Sequence, residues 1–160
     1  MIKKGGFKMK ILACTDGSEH SQKALEKAAL LAEGSKNIKE VAIIYVYDHR
    51  YDTYMPYLGE GSFSTKEMEN YQRMVDLHKE EMKKILSNAS RFFKEKNIKT
   101  RIIYKEGHPA HNIVKVAQDE GFDIIVIASE GLSGLKKLFL GSVSNAVIQE
   151  AKECSVLLVK

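Results

Sequence analysis

Cysteine is scarce in this chain. Only Cys14 and Cys154 occur among its 160 residues, too few for a disulfide framework and without the spacing of a zinc site, so both read as small buried apolar groups in a reducing cytosol. Long apolar runs are missing too. No stretch approaches the length of a membrane span, and Met1 to Met9 lacks the apolar centre of a signal peptide, so the expectation is a soluble cytoplasmic protein with no membrane partner. Nor is there a block of one charge: 25 Lys and Arg are interspersed with 21 Asp and Glu, for a net charge of +4. Without aromatic and basic interleaving or a reader motif, a solvated surface is favoured over a nucleic-acid interface. Finally, no Asn-Gly or Asp-Gly hairpin joins two strands, because Asp16-Gly17 runs directly into a helical pattern.

What is present alternates between strand and helix. Met9–Thr15 is a strand, followed by Ser18 as N-cap of a helix with Ala24, Leu25, Ala28, Leu31 and Ala32 on one face and Gly34 at its end. Glu40–Tyr47 and Phe122–Ala128 are apolar on both alternations, as strands buried on both faces are. Thr100–Glu106 and Cys154–Lys160 supply two more strands, and Pro109 opens a helix that runs to Gly121. Lys66–Lys96 is the longest helix, with an apolar stripe from Met68 through Tyr71, His78 and Ile85 to Phe93. His78 on that stripe, like His108 and His111, is expected to be structural rather than a ligand. Residues 1–8 read as a flexible tail, and residues 9–160 as one domain. The tyrosine-rich stretch 48–65 is long enough to be a cover over a site or a dimer contact.

Helical crossovers between all five strands require a parallel sheet in a three-layer α/β sandwich. Pattern alone leaves two strand orders open, 2-1-3-4-5 and 3-2-1-4-5. In either, ligands bind beyond the carboxyl ends of the strands.

Candidate chemistry gathers at Ile124–Ser144. An apolar strand leads into a loop with Gly131 and Gly134, and Gly141-Ser142 opens a helix with Ser142 as expected N-cap. Glycine there allows positive φ or close approach to a ligand. The amides of Val143, Ser144 and Asn145, together with the macrodipole, form an anion site. Asp16, just past the first strand, is an acceptor for ribose or adenine, a helix-entry cap, or both. Catalytic signatures are lacking. Leu140-Gly141-Ser142 has no Walker lysine, Glu130–Gly134 is not a G-x-S-x-G elbow, and the sixth residue after Cys14 is His20 rather than the arginine of a thiol phosphatase. Binding is therefore favoured over turnover.

These segments resemble the universal stress protein family, whose ATP-binding members carry G-x2-G-x9-G-[ST]. Here Gly141-Ser142 and Gly131 fill their positions, Ala128 stands at the first glycine, and Glu130 adds a negative charge. The resemblance implies the Rossmann-like order 3-2-1-4-5 and an ATP site made by Thr15, Asp16, Val46, Ala128, Gly131, Gly141, Ser142, Val143 and Ser144. Val46 would meet adenine through its backbone, and Mg²⁺ would ride on the phosphates. It further implies a homodimer through the C-terminal strand, whose apolar edge needs cover, and no enzyme activity beyond slow hydrolysis. Two other possibilities remain: a member of the same fold that acts by protein contacts without nucleotide, and a flavodoxin-like enzyme on a phosphorylated substrate.

Overall fold

Apolar side chains on both faces of β1 (Met9–Cys14), β2 (Ile38–Tyr47) and β4 (Ile124–Ala128) drive those strands to the middle of a sheet. β3 (Thr100–Glu106) and β5 (Ser155–Val159), with more exposed residues, take the edges. A computed structural model describes residues 8–48, 64–131 and 140–160. In it the 5-stranded sheet has the order β3-β2-β1-β4-β5, and every neighbouring pair is parallel. This decides between the two orders left open and removes the flavodoxin-like alternative.

Alternate residues of each strand feed two cores. Ile11, Ala13, Ile43 and Val126 pack against α1 (Glu19–Glu33) and α2 (Thr65–Glu95). Leu12, Ala42, Ile44 and Ile125 pack against α3 (Pro109–Asp119) and α4 (Ser142–Glu150). The sheet thus lies between two helical layers. At its amino end Lys10 and Arg101 share Glu40, at 3.3 Å and 2.8 Å, and both cations lie over the ring of Phe122. Partial burial pushes the Glu40 carboxyl up, but hydrogen bonds from Arg101 and Lys10 outweigh it and hold the group below its ordinary range.

Some expected boundaries shift. Thr15, Phe122 and Cys154 fall outside their strands, because the parallel ladder stops short of them. The larger correction concerns α2. Its sequence carries an apolar stripe from Met68 onward, yet its buried residues are Leu86, Ala89 and Phe93, and Met68 is 55% exposed. The reason is length: 31 residues span about 46 Å of helix, whereas the 10 residues of β2 span about 33 Å. The carboxyl-terminal half of α2, from His78 onward, covers the sheet, and the first turns extend past it. Residues 1–7 of the tail expected at 1–8, residues 49–63 of the cover or dimer contact expected at 48–65, and Gly134 all lie outside the described residues. No helix among the described residues is long and apolar enough to cross a membrane.

Candidate functional site

β1 has β2 on one side and β4 on the other, so the chain leaves the carboxyl ends of β1 and β4 in opposite directions. That divergence opens a crevice, the usual ligand position in an open α/β sheet. A cavity of about 460 Å³ lies there, within the ordinary range of small-molecule sites. Thr15, Asp16, Val46, Ala128, Gly131, Gly141, Ser142, Val143 and Ser144 all border it.

On the β1 side the turn into α1 is tied down by short polar contacts. Thr15 is buried, its hydroxyl 3.1 Å from that of Ser21, and it accepts from the amide of Gly17 at 3.2 Å. Gly17 has φ +83, a left-handed conformation that suits glycine. Asp16 Oδ1 accepts from the amide and hydroxyl of Ser18, at 3.0 Å and 2.6 Å, and Ser18 in turn caps α1 through the amide of Ser21. Asp16 therefore serves the helix entry with one oxygen. Its other oxygen faces Gly131: a Cβ built on Gly131 would lie 2.7 Å from Asp16 Oδ2. The glycine is needed for room, not for backbone freedom, since Gly131 is not among the residues at positive φ.

On the β4 side the chain is held by Ser129. Its amide donates to Val159 at 2.7 Å, and its carbonyl accepts from the Gly141 amide at 2.7 Å and from the Ser144 hydroxyl at 3.0 Å. The first intrahelical bond of α4 runs from Asn145 to the Gly141 carbonyl, at 2.9 Å. Gly141, not Ser142, is thus the N-cap, and the amides that precede helical pairing belong to Ser142, Val143 and Ser144 rather than to Val143, Ser144 and Asn145. Gly141 brings no side-chain cap, and among the described residues no side chain caps these amides. The Ser144 hydroxyl is buried and committed to Ser129 and Gly141; what it offers the crevice is its amide. Ala128 ends β4 opposite Val159 and packs with the core under α1. It is not at positive φ, so its methyl is accommodated without backbone strain.

The remaining walls are apolar on one side and aromatic on the other. Val46, Ile113 and Ile127 belong to the α3 and α4 layer, with Pro109 at the start of α3. Tyr45, Tyr47 and His78 stand on the α2 side, with the rings of Tyr47 and His78 4.0 Å apart and Tyr45 Oη 3.5 Å from His78 Nε2. Burial, then Glu81 and Asp16, push the Tyr45 hydroxyl up, leaving it a neutral donor. Burial first and Asp16 second likewise push the Cys14 thiol up, which removes it as a nucleophile. His78 is packed, as expected, but it also borders the crevice. His108 caps α3 by accepting from the His111 amide at 3.5 Å.

Sequence reasoning missed Asp48, which is buried and borders the cavity. Its signal was available: like Asp16, it is an acid just past the carboxyl end of a central strand. Also missed was the pairing of Glu130 with His20, Oε2 to Nε2 at 3.8 Å. Among the described residues, no group of three His, Cys, Asp or Glu is close enough to hold a metal ion.

Comparison with known proteins shows the family and the fold. Residues 9–160 match the model of the universal stress protein family. The chain is 36% identical over 151 residues to universal stress protein YxiE of Bacillus subtilis, covering 94% of this chain and 98% of that one. It is 33% identical over 155 residues to universal stress protein MJ0577 of Methanocaldococcus jannaschii, covering 94% of each. The solved structure of MJ0577 superposes with a TM-score of 0.76 at 30% identity over 96% of both chains. Two more distant structures share the fold: a universal stress protein in complex with cAMP (TM-score 0.64, 22% identity, 95% and 96% covered) and one from Archaeoglobus fulgidus in complex with dAMP (0.63, 20%, 96% and 99%).

Proposed function

This chain belongs to the universal stress protein family, and from that premise we propose that it is an ATP-binding module of stress response or signalling, a homodimer rather than an enzyme. The observation that carries the proposal is the head of α4. Amides of Ser142, Val143 and Ser144, without a capping side chain, open on the cavity that Asp16 borders from the opposite strand. Amides so placed, at the positive end of a helix dipole, suit a phosphate chain. Gly131 and Gly141 keep the approach clear of side chains, and Mg²⁺ would ride on the phosphates. Adenine fits the apolar wall of Val46, Pro109 and Ile113, with Asp16 accepting from ribose or base. Charged hydrogen bonds contribute roughly 1.5–3 kcal/mol each, so a micromolar site at about 8 kcal/mol needs the buried base as well as the phosphates. The adenine nucleotides bound by two proteins of the same fold point in the same direction.

The test is direct. Denaturing the purified protein should release ATP detectable by anion exchange, and Mg-ATP should raise its melting temperature. If neither occurs, nucleotide binding is refuted, and the family member that works through protein contacts, with Ala128 and Glu130 as its departures, takes its place. Turnover is expected to be no more than slow hydrolysis, since no serine, threonine or cysteine is paired with a base among the described cavity residues.

Dimerisation rests on β5. It is an edge of the sheet, and Val156, Leu157 and Leu158 are only half-buried in the single chain. Apolar edge strands invite pairing with another edge, and two-fold symmetry lets β5 cover itself. Light scattering at micromolar concentration should give twice the chain mass; the mass of one chain would rule out this interface.

A further inference from the structure

We propose that Glu130 and His20 decide, through one proton, whether the head of α4 accepts a polyphosphate; the inference rests on the phosphate site proposed above. Glu130 stands at the threshold of that site. A Cβ on Gly141, the N-cap of α4, would lie 3.6 Å from Glu130 Cα, and Glu130 borders the same cavity as the amides of Ser142, Val143 and Ser144. A fixed carboxylate there opposes the anion that the helix head favours.

His20 lies in the first turn of α1. Its Nε2 is 3.8 Å from Glu130 Oε2, with the two side chains 41% and 25% exposed. That distance is too long for a good neutral hydrogen bond but suits an ion pair once the imidazole is protonated. Protonation cancels the Glu130 charge and leaves the amides free to act on the ligand. Deprotonation restores the repulsion. Imidazole is the side chain whose charge ordinarily changes between about pH 5 and 8, so the pair converts a modest acidification into higher affinity.

The surrounding charges do not duplicate this role. On α1, Glu19 and Lys23 flank His20 in sequence with opposite signs. From the β1 turn, Asp16 reaches toward Gly131, and Asp48 borders the cavity at the end of β2. Both are further carboxylates, which increases the value of a cation at His20. The first turn of α4 carries no acid.

Isothermal titration of the full chain with Mg-ATP and, separately, with tripolyphosphate tests this at about pH 6 and about pH 8. The proteins are the wild type, His20→Gln, Glu130→Gln and the double variant. The wild type should bind roughly tenfold more tightly at the lower pH, as one linked proton permits. Glu130→Gln should bind at the higher pH about as tightly as the wild type does at the lower. His20→Gln should be weak at both, and the double variant should follow Glu130→Gln. Comparison among variants at one pH cancels the titration of the ligand itself. Equal Mg-ATP affinity for all four proteins at both pH values overturns the gate and leaves the nucleotide site standing. The expected pattern with tripolyphosphate but no binding of Mg-ATP supports the gate and removes the nucleotide. Binding of neither ligand by any of the proteins overturns both.

Discussion

Gly141→Val abolishes the thermal shift produced by Mg-ATP. The substitution is chosen because the backbone tolerates it: Gly141 has φ −59 and ψ 153, values that valine adopts readily. The obstruction is spatial. A Cβ at this position lies 3.3 Å from the Ser129 carbonyl oxygen, 3.5 Å from Ser144 Oγ and 3.6 Å from Glu130 Cα. Two of those neighbours are backbone and cannot rotate aside, and valine adds two methyl groups beyond the Cβ. The 3.3 Å approach asks for a shift of a few tenths of an ångström, which strains the bonds from the Gly141 amide and the Ser144 hydroxyl to Ser129. The two methyl groups beyond the Cβ are expected to crowd the amides of Ser142, Val143 and Ser144. Losing two charged hydrogen bonds at roughly 1.5–3 kcal/mol each costs about 3–6 kcal/mol of binding, enough to erase a micromolar site. Circular dichroism should show the fold retained. An undiminished shift in the variant means that the phosphates lie elsewhere.

Phe93→Ala should remove about 3–5 kcal/mol of stability, the loss expected when a buried aromatic side chain leaves a cavity. Phe93 is fully buried, among the largest such side chains of the core, and its ring meets Phe92 edge-on at 5.4 Å. The buried residues of α2 are Leu86, Ala89 and Phe93, with Met82, Ile85 and Phe92 packed beside them, so Phe93 is the largest fully buried group that holds the helix to the sheet. The effect also reaches the crevice. Ile85 fills the space beside Gly17, where an added Cβ would come within 2.5 Å of its Cδ1, and His78 lies two turns further along the same helix. Urea unfolding of Phe93→Ala and of Met68→Ala provides the comparison. Met68 is 55% exposed, and its truncation should cost less than about 0.5 kcal/mol. Similar losses for the two would show that α2 is anchored along its whole length instead.

Both expectations rest on features of very different visibility. The Gly141-Ser142 pair was legible as a helix head because the signal is local: glycine, a small polar residue, then an apolar face at helical spacing. The cap itself was misplaced by one residue, since Ser142 and Gly141 both qualify by type. Only the bond from Asn145 to the Gly141 carbonyl distinguishes them. Gly131 was legible as a special position, but positive φ is not what makes it one. The carboxylate of Asp16, which its missing Cβ leaves room for, could not be read from the sequence. Likewise the apolar stripe of α2 was correctly phased but overstated, because the pattern marks a face without saying how far the sheet beneath it extends.

The sequence by itself determined that this protein has central strands apolar on both sides, crossovers that force them parallel, a helix head suited to an anion and an acid beyond the first strand. Each of these follows from residues adjacent along the chain, where steric preference and periodicity act. The tertiary structure bore out the strand order that the family resemblance implied and periodicity could not choose, and it alone decided the contact of Asp16 with Gly131, the meeting of His20 with Glu130 and the depth of cover on α2. Those depend on which segments the folded chain sets opposite one another, and short-range preference carries no record of a partner so distant along the backbone.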